Sequence, residues 1–168
     1  MAFSAQQTIP HPPTAVAEAL FSEDFHRSVA ESLGGSLESF SRTGEGDGEV
    51  TLTIVRQGPT DRLPEMARKI VGGNARIEQV ERWSAAATDG SRTGTTTITV
   101  PAAKATAEGN LRLAAVPAGT EYAVDGDLQV KIPLVGSKVA QKAEPMVGKV
   151  VARAGREVSA WIERGGRA

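Results

Sequence analysis

Alternation of apolar and polar residues dominates the middle of the chain. Between Glu121 and Ile132, the positions Tyr122, Val124, Leu128, Val130 and Ile132 are apolar. Glu121, Asp125, Asp127, Gln129 and Lys131 lie between them. A period of two predicts a strand with one dry face. The same period runs through Val50, Leu52 and Ile54, through Thr96, Ile98 and Val100, and through Leu111 and Leu113. Phe3, Ala5 and Ile9 mark a short first strand, and the stretch from Ala75 to Trp83 is a strand with weaker patterning. "GEGDG", "TDGS" and "PAGT" are turn signals between the runs, and "GEGDGE" joins two strands. One apolar and one polar face predict an antiparallel sheet, wet on one side. Gly126 falls on the apolar face, where it predicts a bend or bulge.

The period lengthens to that of a helix at both ends of the chain. Val16 and Leu20 form one apolar set, and Phe25, Val29 and Leu33 form another that does not share its face. Two short helices split near Ser22 resolve the conflict, with Thr14 as the expected cap of the first. Leu63, Met66 and Ile70 predict a short helix over Leu63–Val71, closed by Gly72 and Gly73. The last strand stops at Pro133. Val147, Val150, Val151, Ala154, Val158, Trp161 and Ile162 then follow a helical stripe, which predicts a helix over approximately Lys138–Arg164. Gly148, Ala152, Gly155 and Ser159 make a small-residue track along it. Pro145 predicts a kink, or the first turn of its main segment. A sheet with one dry face needs a cover, and the terminal helix supplies it.

Composition narrows the function classes. The 168 residues suit one domain, 1–168. A net charge of −1 argues against a dedicated nucleic-acid binder. With no cysteine, disulfides, thiolate catalysis and cysteine-ligated metals are excluded. The two histidines, His11 and His26, lack partners at metal-ligand spacing, so no metal and no cofactor is expected. No segment reads as a signal peptide or a membrane span, so no integral membrane association and a cytoplasmic location are expected.

"IEQVERW" holds the most suggestive chemistry. If Ile77 and Trp83 face inward, so do Gln79 and Glu81, and a buried Glu with a raised pKa could move a proton. Unpaired buried carboxylates are rare, so the expectation is that a bulge or strand end returns Glu81 to solvent. Tyr122, the one tyrosine, lies on an apolar face and is expected to be a core residue or to offer its hydroxyl to a ligand.

"LPEMARKIVGGNARIEQVERW", "GNLRL" and "VKIPLVGSKV" resemble an actinobacterial family of unknown function within the START-like, polyketide cyclase-like superfamily. The likeness covers nearly the whole chain. It implies an α+β helix-grip fold, a curved antiparallel sheet of about seven strands wrapped around a long C-terminal helix. It also implies a ligand between sheet and helix. The expected lining is Leu63, Met66, Ile70, Trp83, Ile98, Leu111, Tyr122, Leu128, Met146 and Val150. Of these, Ile98, Leu111, Leu128, Met146 and Val150 are expected to share one interior space. The expected function is a binding module for a small hydrophobic or amphipathic molecule. The alternatives are a cyclase-like or isomerase-like enzyme using Glu81 or Tyr122, and a protein-interaction domain with no enclosed ligand. No catalytic residue is assigned, and the oligomeric state is left open.

Overall fold

The structure is a computed structural model describing residues 1–167. Seven strands form one antiparallel sheet: β1 (Ala2–Ile9), β2 (Ser36–Thr43), β3 (Val50–Pro59), β4 (Asn74–Trp83), β5 (Arg92–Val100), β6 (Ala105–Val116) and β7 (Gly119–Val130). Their order is β1-β7-β6-β5-β4-β3-β2, so the first strand closes against the last and the hairpins run out from there. Helices α1 (Pro13–Leu20) and α2 (Glu23–Ser32) follow β1, α3 (Glu65–Val71) joins β3 to β4, and α4 (Gly136–Glu163) ends the chain. The alternation and the terminal stripe led to an antiparallel sheet covered by a terminal helix, and the arrangement is the helix-grip fold that the resemblance implies.

Local chemistry explains where the helices begin. Pro13 occupies the first turn of α1 behind Pro12, so Thr14 lies inside the helix and is not its cap. Ser22 accepts a hydrogen bond from the Phe25 amide at 3.3 Å and starts α2 where the two stripes conflict. Pro145 lies inside α4, which continues through it as one helix of 28 residues.

The core gathers at one end of the sheet. Val16 of α1, Phe25 of α2 and Phe21 between the two helices pack with Leu52, Trp83, Leu113 and Trp161. Phe25 meets Trp161 edge-on at 5.8 Å between ring centroids. There α4 lies over β1 and β7. At the opposite end stand α3, a 3₁₀ turn at Pro101–Ala103 and the β7–α4 connection.

Gly109 and Gly126 face each other across β6 and β7. A Cβ on Gly126 would lie 2.1 Å from the Glu108 carbonyl oxygen, so the backbones approach as only glycine allows. The β6–β7 register runs through without a shift, so Gly126 marks a close approach, not a bulge.

Candidate functional site

Residues opposite one another in register share a face of the sheet. One row reads Leu52, Glu81, Thr96, Gly109, Gly126 and Phe3 across six strands. The next reads Ile54, Gln79, Ile98, Ala107 and Leu128. A third reads Val50, Trp83, Gly94, Leu111, Val124 and Ala5. These rows form the face under α1, α2 and α4. Most of it is apolar, yet a polar cluster stands in its middle.

The cluster corrects the expectation for Glu81. The pairing of β4 with β3 and β5 contains no bulge, so strict alternation carries Glu81 inward with Trp83. Its exposure is 6%. Gln79 Nε2 donates to Glu81 Oε1 at 2.5 Å, and Trp83 Nε1 donates to Glu81 Oε2 at 2.8 Å. Arg56 Nη2 donates to Gln79 Oε1. The buried carboxyl is therefore partnered, which removes the objection to placing it inside. Burial raises its pKa above the ordinary 4.5, against the pull of the Trp83 and Gln79 hydrogen bonds and the Arg56 charge.

Tyr122 and Thr96 complete the group. Burial raises the Tyr122 pKa, with the Glu81 charge adding to the rise and Arg56 opposing it, so its hydroxyl stays neutral. Burial likewise lowers the Arg56 pKa, opposed by Glu81. Arg56 and Tyr122 are both half-buried. Thr96 is 6% exposed, and its Oγ1 is buried without a hydrogen-bond partner. The next two positions in its row are Gly109 and Gly126, which put no side chain beside the hydroxyl.

The expected lining residues divide. Trp83, Ile98, Leu111 and Leu128 share this face, and Tyr122 shares it in a neighbouring row opposite Leu113. Leu63, Met66 and Met146 are half-buried. Val150 is 63% exposed and Ile70 is 45% exposed, so neither lies in an enclosed interior. The reason is the position of α4: Gly155 presses on Gln7 and Ile9 of β1, which turns Val150 outward on the helix. Helix α3 packs on the 3₁₀ turn through buried Ala67 and leaves Ile70 at its rim. Arg56 and Thr96 were absent from the expected lining, although both continue the alternation of their strands.

The remaining candidates are structural. His26 is buried, its Nε2 lies 2.7 Å from the Leu20 carbonyl oxygen, and burial lowers its pKa to about 4. His11 Nε2 lies 3.1 Å from Ser159 Oγ, tying the β1–α1 turn to α4. A broad hollow of about 830 Å³ lies on the sheet's opposite, polar face, lined by residues such as Ser4, Gln6, Arg82, Thr95, Asn110 and Arg112. Trp83, Gly94, Leu111 and Val124, from one row of the inner face, also border it. Among the described residues, no group of three or more potential ligands is placed to hold a metal ion.

A sheet gripping a terminal helix around such a face defines the class of this protein, and comparison places it further. The chain belongs to the family described as "Protein of unknown function (DUF2505)", which matches residues 4–162. No curated protein matches it significantly. Among solved structures, it is similar to TTHA0849 from Thermus thermophilus, with 14% identity over 98% of this chain and 99% of that one, and a TM-score of 0.63. A putative uncharacterized protein from Rhizobium leguminosarum has 10% identity over 98% and 95%, with a TM-score of 0.59. Ara h 8.0201 has 13% identity over 98% of both chains, with a TM-score of 0.55. At such identities the likeness shows the fold alone. No helix among the described residues is long and apolar enough to cross a membrane.

Proposed function

We propose that the protein binds a small amphipathic molecule between the sheet and α4, with the apolar part on Ile98, Leu111 and Leu128. Its polar end meets Thr96 and Tyr122. The observation that carries this reading is the unpartnered, buried Thr96 hydroxyl beside two glycines. A buried polar atom without a partner costs about 1–3 kcal/mol, and a ligand atom seated against Thr96 supplies that partner. An apolar lining with a few converging polar groups is the usual composition of small-molecule sites. The test is native mass spectrometry of protein purified from its own host, followed by uptake of 1-anilinonaphthalene-8-sulfonate as an apolar probe. A co-purified lipid-like or polyketide-like mass, and weaker probe uptake in folded Thr96→Val and Tyr122→Phe, support the reading. Unchanged uptake in both variants defeats it.

Glu81 favours a second reading, an enzyme moving a proton on the bound molecule. A desolvated carboxyl titrates nearer neutral pH and serves as acid or base there. Glu81→Gln separates the two: an enzyme loses turnover and keeps ligand, whereas a binder has no turnover to lose.

A further inference from the structure

The chain's charge is divided unevenly between the two ends of the molecule. All six lysines, Lys69, Lys104, Lys131, Lys138, Lys142 and Lys149, lie on α3, the 3₁₀ turn, the β7–α4 connection and the first half of α4. The segments 60–73, 101–104 and 131–150 carry eight basic and three acidic side chains, a net of +5 in a chain whose total is −1. All six lysines are exposed. Lys138, Lys142 and Lys149 recur at spacings of four and seven, so they share one stripe of α4.

The apolar side chains follow the same division. Leu134, in the β7–α4 connection, is 99% exposed, and Val150 of α4 and Ile70 of α3 are 63% and 45% exposed at this end. Leu134 also has φ +70, and Lys104 has φ +48; these are the non-glycine residues with left-handed backbone among those described. The Lys131 amide donates to the Lys104 carbonyl oxygen at 2.9 Å, so the two loops are joined. A leucine held in water, in a conformation that glycine would adopt without strain, gains nothing within the chain.

We propose that this end is a docking surface for an anionic lipid bilayer, with Leu134 entering the headgroup boundary and the lysines facing the lipid charges. Charge complementarity selects the occupant. A polybasic rim around a projecting apolar tip suits a planar, fluid, negatively charged surface. A nucleic acid would use the lysines and leave Leu134 in water, and would call for stacking aromatics that these segments lack.

The experiment is co-sedimentation of the full chain with vesicles of phosphatidylcholine alone and with phosphatidylglycerol added. Partition into the anionic vesicles only, weakened by salt, is the expected result. Lys138→Glu with Lys142→Glu lowers that partition by about tenfold or more. Leu134→Gly, which suits the backbone and therefore folds, lowers it by roughly tenfold. No partition of the wild type into anionic vesicles at low salt overturns the proposal, as does equal partition by Leu134→Gly. Self-association abolished by Leu134→Gly without vesicle binding assigns the surface to a second copy and also overturns it. The reading is independent of the interior ligand: folded Thr96→Val is expected to partition like the wild type, whatever its probe uptake.

Discussion

Burial and hydrogen bonding act on Glu81 in opposite directions, and burial is the larger. Its folded pKa is above its unfolded value, so the native state holds more protons between the two. The contribution of Glu81 to stability is therefore complete below about pH 4.5 and is lost as pH rises through the folded pKa. Glu81→Gln removes this slope. It also sets an amide nitrogen against one of the two donors, Gln79 Nε2 or Trp83 Nε1. The variant is expected to be about 1–3 kcal/mol less stable than wild type in acid, with the gap narrowing as pH rises. Urea unfolding at a series of pH values reads this, and a constant gap refutes it. His26 has the opposite sign. Its folded pKa of about 4 lies below the ordinary 6.5, so it is neutral in the fold, and stability falls as pH drops from 6.5 through 4. The loss is on the order of 3 kcal/mol. His26→Phe should flatten this acid limb while costing about 1 kcal/mol at neutral pH for the donor removed from the Leu20 carbonyl. An unchanged acid limb would place the titrating group elsewhere.

Helix α4 uses its small residues unevenly. A Cβ on Gly155 would lie 2.6 Å from Gln7 Cγ, whereas one on Gly148 would meet nothing within 4 Å. Gly148→Ala is therefore expected to stabilise by about 0.5–1 kcal/mol through helix propensity. Gly155→Ala should lose that gain, because Gln7 or the helix must shift. Equal effects of the two substitutions on Tm would mean that α4 does not seat on β1 at Gly155. The small-residue track therefore packs closely at one glycine and meets open space at the other, a distinction that spacing alone does not contain. Strands were legible where alternation was clean, as in β7. Strand β2 was not, because only Leu37 and Phe40 of "SLESFSRT" turn toward other side chains and its pairing shifts between Leu37 and Ser39. The inward Glu81 was legible from parity in "IEQVERW". The expectation failed because it treated an inward carboxyl as unpaired, although its two donors, Gln79 and Trp83, stand two residues to either side on the same face; only Arg56, which holds Gln79, comes from another strand.

The whole molecule is graded from a packed end to an accessible one. Val16, Leu52, Trp83, Leu113 and Val158 close the first around α1, α2 and the end of α4. At the other, α3 buries only Ala67 and rests on a 3₁₀ turn, with Gly72 and Gly73 at its exit. Local opening free energy follows buried contact, so the two ends should differ in amide exchange. Amides of α3 are expected to exchange at least about a hundredfold faster than those of β6 and β7, which are paired on both sides. Occupation of the interior adds contacts for Leu63 and Met66, two half-buried residues of this segment, and should slow α3 selectively. Hydrogen exchange with mass spectrometry, with and without 1-anilinonaphthalene-8-sulfonate, measures both effects. Slowing confined to α3 and the β3–β5 interior would make this helix the gate of the site. Equal protection of α3 and β7 in both conditions would make it a fixed structural helix, and would require the ligand to enter past α4 instead.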